Sequence, residues 1–287
     1  MKAPRFAYAR PASVAEALAL LAEHKGDARV LAGGQSLVPM LNFRLAAPKV
    51  LVDINRIAAL SGIAVAKDHV RIGALTRHAE LERSADIARH LPLIAQAVPH
   101  VAHAAIRNRG TFGGSCALAD PAAELPACAL ALAATFVIAG PKGERRVAAK
   151  DFFAGLYATA LRPDELLLAA EFPLPKPGRV SAFGELARRH GDYAMVGIAV
   201  HGSNAGKRFS DLHAVFFGVG DRPVRATNFE KALEGQPATQ KTIESALGKL
   251  NADLDPRADL QASAAAKRHL ARVLAGRVLN QFMVAAA

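Results

Sequence analysis

Tryptophan is absent from the 287-residue chain, tyrosine occurs three times and cysteine twice, at Cys116 and Cys128. Two thiols are too few for a disulfide scaffold, a four-thiolate zinc site or an iron–sulfur cluster held by this chain alone. A reducing, cytoplasmic setting is therefore the expectation. The longest apolar stretch, Leu125–Ala139, contains Pro126 and falls short of the ~20 residues a membrane span needs. No apolar segment follows the basic residues of Met1–Arg10, so no secretory signal is expected. Several catalytic signatures are missing as well: no G-x-G-x-x-G after a strand, no phosphate loop of the G-x-x-x-x-G-K-[ST] type, no H-E-x-x-H and no G-x-S-x-G elbow. His100 and His103 have helix-face spacing but no carboxylate neighbour in sequence, which is weak ground for a metal.

What the chain does carry is apolar bulk, 52% of residues, with 21% charged, the composition of a globular protein. Lysine and arginine exceed aspartate and glutamate by 11. That excess suits an anionic ligand or an acidic partner. The cations are dispersed, the tightest groups being Lys142–Arg146, Arg188–His190 and the Lys267–Arg277 face, and none is interleaved with aromatics. Nucleic acid is accordingly not the expected ligand.

Ser13 and Glu16 read as a capping box for a helix that Val14, Ala17, Leu18 and Leu21 make amphipathic and Gly26 ends. Short strands are expected at Ala28–Ala32, Val50–Ile54, His69–Leu75 and Thr135–Ala139. A short helix is expected after Thr76, a longer one over Leu91–Ala105 interrupted near Pro99, a loop over Arg107–Ser115 and an apolar helix over Ala122–Ala133. Three prolines and a glycine in Pro173–Gly178 mark a linker. Beyond it, Ser181–Arg188, Ala194–His201 and Asp211–Gly218 read as meandering strands. Three helices follow from Thr227, the last over Ala264–Met283, and the alanine-rich tail is expected to fray. The fold class is thus α+β, divided as 1–55, 56–175 and 176–287.

Two glycine motifs stand out. Ala32-Gly33-Gly34-Gln35-Ser36 directly follows an apolar strand, and Thr111-Phe112-Gly113-Gly114-Ser115 follows Arg107-Asn108-Arg109-Gly110. Paired glycines let backbone approach a ligand and turn successive N–H groups toward an anion, and Ser36, Thr111 and Ser115 add hydroxyls. Either motif taken alone reads more readily as a simple tight turn, because Gly-Gly turns are common. Arg107 and Arg109 suit either phosphate charge or a partner surface.

Ala32–Leu45 together with Thr111–Ser115 resemble the two FAD-binding signatures of the medium subunit of molybdenum hydroxylases, a family that includes carbon monoxide dehydrogenase and is similar to the flavin domain of xanthine dehydrogenase. Arg188-Arg189-His190-Gly191-Asp192-Tyr193-Ala194 resembles a further family motif, and the likeness spans essentially the whole chain. It implies a two-part FAD-binding domain of the vanillyl-alcohol-oxidase-like (PCMH) type, followed by a β-sheet-plus-helices domain. It implies that Ala32, Gly33, Gly34, Gln35, Ser36 and Leu37, with Thr111, Gly113, Gly114 and Ser115, enclose the FAD pyrophosphate. Glu124 matches an acidic cofactor-binding position, Asp120 is a second candidate, and Tyr193 is implied to lie near the isoalloxazine ring. No catalytic residue and no metal are implied on this chain. The implied partners are a large molybdopterin subunit and a small subunit with two [2Fe–2S] clusters, in a dimer of heterotrimers. Electrons would pass through FAD to NAD, a quinone, a cytochrome or oxygen, and the positive charge would assist docking of an acidic small subunit.

The chain departs from the family at Ser115, where asparagine is usual, and at Gly184, where some relatives carry lysine. It also lacks the cysteine-bearing insertion of the hydroxybenzoyl-CoA reductase branch. Two alternatives remain at this point: a free-standing FAD oxidoreductase, and a scaffold of the same fold that has lost its flavin.

Overall fold

The structure is a computed structural model, and it describes residues 2–284; the Ala285–Ala287 end of the tail lies outside the described residues. Three larger sheets and a two-stranded one, Phe153–Gly155 with Ala158–Thr159, make up the strands of the described residues. The first is parallel and three-stranded, with Val50–Asp53 between Ala7–Ala9 and Ala28–Leu31. The crossover within it carries the Val14–His24 helix. Ser13 Oγ accepts from Glu16 N at 3.2 Å, as the cap requires, but the Glu16 carboxylate turns to Ala12 N rather than to Ser13 N. Lys25 and Gly26, both at positive φ, end this helix.

The second sheet is antiparallel and five-stranded. Leu166–Pro173 runs at its centre, paired with His69–Gly73 on one side and Thr135–Gly140 on the other. Both faces are covered. Val137, Ala139, Leu166 and Leu168 point into the core shared with the first sheet, while Phe136, Ile138, Ala170 and Phe172 point into the core built with the following helices. Those helices are shorter than the apolar pattern predicts. Leu91–Ala105 resolves into Pro92–Ala97, a tight turn at Val98–His100 and Ala104–Arg107, because Pro99 removes a donor and Ala102 takes φ 45°. The expected Arg107–Ser115 loop is corrected too. From Phe112 the chain is helical to Leu118, with Thr111 as its N-cap accepting from Gly114 N at 3.0 Å.

The third sheet is an antiparallel meander of Arg179–Leu186, Val196–Ser203, Ser210–Phe217 and Val224–Arg225. One face packs under the helices Thr227–Leu233, Gln240–Leu247 and Ala264–Val284. The other contributes Phe183, Ala199, Val215 and Phe217 to the helical core of the second sheet. Leu250–Asp253 adds a single helical turn beyond the three helices expected. Among the described residues no helix is long and apolar enough to cross a membrane.

Candidate functional site

The first glycine motif lies where the chain leaves the carboxyl end of the Ala28–Leu31 strand, the edge at which open α/β sheets present ligand crevices. Gly34 takes φ +74° there, a conformation that glycine adopts without strain. Gln35 Nε2 donates to Gly33 O at 2.9 Å and braces the turn. Among the described residues, the N–H groups of Gly33, Gly34, Gln35, Ser36 and Leu37 donate to no protein acceptor. Such consecutive free donors form a concavity that suits phosphate oxygens.

The second motif abuts the first. A Cβ on Gly33 would lie 2.2 Å from Arg109 O and 2.9 Å from Gly110 Cα, so only glycine admits this approach. A polar chain fastens the two from behind: Asn55 Nδ2 donates to Ala32 O at 2.8 Å, Arg77 Nη2 donates to Asn55 Oδ1 at 2.7 Å, and Arg77 Nη1 donates to Arg109 O. The N–H groups of the second motif already have protein acceptors, Gly113 donating to Ala74 O outside the motif and Gly114 and Ser115 to Thr111 Oγ1 and Thr111 O within it. Its contribution to the site is therefore hydroxyls and a close helix backbone. The consecutive N–H donors expected there are present only at the first motif.

Between the motifs and the Tyr193 segment lies a cavity of about 730 Å³, within the size range of cofactor sites. Ala32, Gly33, Gly34, Gln35, Ser36, Leu37, Thr111, Gly113, Gly114, Ser115, Asp120, Glu124 and Tyr193 all line it. Arg107 and Arg109 do not. Arg107 pairs with Glu82 at 2.9 Å and donates to carbonyls of the Pro99–Ala102 turn, which makes it a structural cation. Gly184 faces the C-terminal helix, where a Cβ would meet Val278 at 2.6 Å, so this position does not address the cavity. His100 and His103 do not share a helix face, since one closes the tight turn and the other caps the next helix.

Sequence reasoning missed four contributors: Tyr157, His78, Arg77 and Asn55. Tyr157 stands at positive φ in the turn between Phe153–Gly155 and Ala158–Thr159, with its hydroxyl 3.5 Å from Asp120 Oδ2. His78 lines the cavity with both ring nitrogens buried and unpartnered, and burial pushes it down to about 4, so it is neutral. Arg77 and its partner Asn55 join the motifs although neither lies in one. Only the tight Gly155-Leu156-Tyr157 turn carries a local signal; the others reach the site through tertiary contacts.

The acidic residues sit in an environment that disfavours their charge. Burial raises Asp120, against Ala122 N–H and the Tyr157 hydroxyl. Burial pushes Glu124 up to about 8, opposed by its own backbone N–H, with the Glu185 charge adding and His100 opposing. Partial desolvation raises the Tyr193 phenol, and the Asp120 and Glu124 charges add to that shift. The raised Glu124 has a consequence for stability. Below about pH 4.5 both folded and unfolded chains are protonated there. Between 4.5 and 8 only the unfolded chain loses the proton, so stability falls as pH rises. Glu124→Gln is thus expected to stabilise the isolated chain at pH 8 by about 2–4 kcal/mol, with no gain at pH 4.5. Thermal melts at the two pH values check this, and an equal effect at both contradicts it.

A doubly charged pyrophosphate fits the free donors of the first motif, and the cavity has room for a dinucleotide. The comparisons agree with that chemistry. The family described as the FAD binding domain in molybdopterin dehydrogenase matches residues 4–175, and the CO dehydrogenase flavoprotein C-terminal domain matches 181–282. The 6-hydroxypseudooxynicotine dehydrogenase complex subunit alpha of Paenarthrobacter nicotinovorans is 40% identical over 97% of this chain and 95% of that protein. A carbon monoxide dehydrogenase structure from Hydrogenophaga pseudoflava, lacking the Mo-pyranopterin moiety of the molybdenum cofactor, superposes with TM-score 0.97 at 38% identity over 100% of both chains. Quinoline 2-oxidoreductase from Pseudomonas putida 86 gives TM-score 0.95 at 37% identity, covering 100% of this chain and 99% of that one. This chain therefore belongs to the FAD-binding medium subunits of the molybdenum hydroxylases, with FAD as the cofactor of this subunit and substrate chemistry on other subunits.

Proposed function

We propose that this chain passes electrons from the [2Fe–2S] clusters of a small partner subunit, through its FAD, to an external acceptor. A large molybdopterin subunit, which oxidises the substrate, supplies those electrons. The observation that carries this reading is the single cavity in which both glycine motifs, Asp120, Glu124 and Tyr193 converge, with the Gly33–Leu37 N–H groups free at one wall. In this assignment those N–H groups and the Ser36, Thr111 and Ser115 hydroxyls hold the pyrophosphate, Glu124 and Asp120 hold cofactor hydroxyls, and Tyr193 flanks the isoalloxazine. Bound FAD supplies the redox chemistry; the chain contributes binding, orientation and electrostatics. We place the domain boundaries near residues 55 and 175, the assembly as a dimer of heterotrimers, and the complex in the cytoplasm.

The test is the visible spectrum of the complex purified with its partners, followed by anaerobic reduction. Flavin and iron–sulfur bands that bleach together with reducing substrate, then recover together with an acceptor, are the expected result. An assembled complex without flavin absorbance, or a flavin that stays oxidised while the clusters are reduced, overturns it.

A further inference from the structure

The mouth of the cavity carries apolar and aromatic surface that the fold leaves unused. Leu156, Tyr157 and Tyr193 are 60%, 56% and 61% exposed, and both tyrosines line the cavity. A chain of contacts brings them to one place. The Tyr157 hydroxyl donates to Asp120 Oδ2 at 3.5 Å. Pro121 O, one residue on, accepts from Gly218 N at 2.7 Å, and a Cβ on Gly218 would lie 3.0 Å from Ala194 O, next to Tyr193. Tyr157 is held there at φ 51°, a left-handed conformation that side chains rarely adopt. The strain secures no burial, since the ring stays half in water. Strained residues of this kind concentrate at ligand clamps and active sites.

The same mouth offers nothing to a phosphate. The charged side chains that line the cavity beside the two tyrosines are Asp120, Glu124 and Asp192, all acidic. The lining arginines, Arg29 and Arg162, stand where Pro163 meets the Gly26 turn, and both are engaged. Arg29 donates to the Gly26 and Ala28 carbonyls, and Arg162 lies 3.8 Å from Glu165. Arg188 and Arg189 belong to the connection before Tyr193 but do not line the cavity. A nicotinamide dinucleotide, whose pyrophosphate is doubly charged, would meet carboxylates without a compensating cation. Of the three mouth carboxyls only Asp192 is exposed, too little negative surface to steer a basic cytochrome.

We infer that the electron acceptor is a quinone, an uncharged flat ring that seats against Tyr157 and Tyr193 at the cavity mouth. The inference rests on the proposed function, in which FAD in this cavity gives up its electrons to an external acceptor, and it names the class of that acceptor. The two phenol rings offer stacking surface to a planar ligand, and their hydroxyls donate to its carbonyl oxygens. Molecular oxygen needs no such surface. In the transfer the quinone gains two electrons and two protons and leaves as the hydroquinone. The FAD, which took up two electrons and two protons on reduction, returns to its oxidised form. Tyr157 and Tyr193 bind and orient the ring, and neither is chemically changed.

The test uses the intact complex with FAD bound, reduced anaerobically by stoichiometric dithionite and mixed with duroquinone in a stopped-flow spectrometer. Flavin reoxidation in the wild type is expected to saturate with duroquinone. Tyr157→Gly suits the positive φ of its turn, so the variant is expected to assemble with FAD bound. It is expected to need about ten-fold more duroquinone, or more, for half the maximal rate. Tyr157→Phe keeps the ring and is expected to stay within about three-fold of wild type. NADH is expected to leave the flavin of the oxidised complex unbleached. Ubiquinone in phosphatidylcholine vesicles, run beside duroquinone, separates a membrane-held quinone from a soluble one. Wild-type half-saturation in FAD-loaded Tyr157→Gly, a wild-type rate that never saturates, bleaching by NADH, or faster reoxidation by cytochrome c overturns the quinone site while leaving the proposed function standing. Absence of FAD from the wild-type complex overturns the proposed function and the quinone site with it.

Discussion

Replacing Gly33 with alanine is expected to strip FAD from the complex, and valine more completely. The clash begins at Cβ, so even the smallest side chain meets it: Arg109 O lies 2.2 Å away and Arg109 C and Gly110 Cα 2.9 Å away. All three are backbone atoms, and none can swing aside as a flexible side chain would. The Arg77–Asn55 bonds hold the second motif in place from behind. Relief therefore requires the motifs to separate, which disperses the free N–H groups of Gly33–Leu37. A ≥100-fold loss of FAD affinity is expected, about 2.8 kcal/mol at 1.4 kcal/mol per tenfold, in line with overpacking costs of about 1–3 kcal/mol. Flavin-to-protein ratio after gel filtration reads the effect. Gly276→Ala, in the C-terminal helix with nothing within 4 Å of a new Cβ, is the matched control. It should keep its flavin and gain up to about 1 kcal/mol of stability. Full FAD retention by Gly33→Ala would show that the motifs do not pack as described.

The parts of this protein that could be read from its sequence are those with a local cause. Ser13 caps the first helix because its hydroxyl meets an N–H three residues on. The Gly33-Gly34 turn follows from an apolar strand running into residues that tolerate positive φ. Joined to Thr111–Ser115 and the Tyr193 segment, that turn was sufficient to identify the family. The Leu166–Pro173 strand was not legible, because it is covered on both faces and so shows an apolar run without alternation. The helix at Phe112 was hidden by its glycines. Gly113 packs on Ala74, where a Cβ would approach to 2.5 Å, and this contact overrides the low helix propensity of the pair. That helix in turn consumes the N–H groups that the motif had been expected to offer. His78, Arg77 and Asn55 carry no sequence signal because their roles depend on chain segments brought together only by folding.

Phe217→Ala is expected to cost about 3–5 kcal/mol, the range for a fully buried aromatic, and so to lower the melting temperature by roughly 10 °C. Phe217 is 0% exposed and belongs to the core that joins the C-terminal sheet to the helices of the FAD-binding domain, 5.8 Å from the Phe183 ring. It stands opposite Gly197 in the strand register, and its ring occupies the space where a Gly197 side chain would be: a Cβ there would lie 1.9 Å from Cζ. The consequence reaches the cavity. Gly218 N, one residue on, donates to Pro121 O at 2.7 Å, next to the turn that sets Glu124, and the connection carrying Tyr193 leads into the strand of Gly197. Loosened docking should therefore weaken FAD binding as well as the fold. Gly197→Val tests the same contact from the other side by driving the ring out. The double variant is decisive, because the valine partly fills the space the ring leaves. It should then be less destabilised than the sum of the two single variants, by about 1 kcal/mol or more. Simple additivity in the double variant would mean that ring and glycine do not share that space, and that the two domains are held together elsewhere.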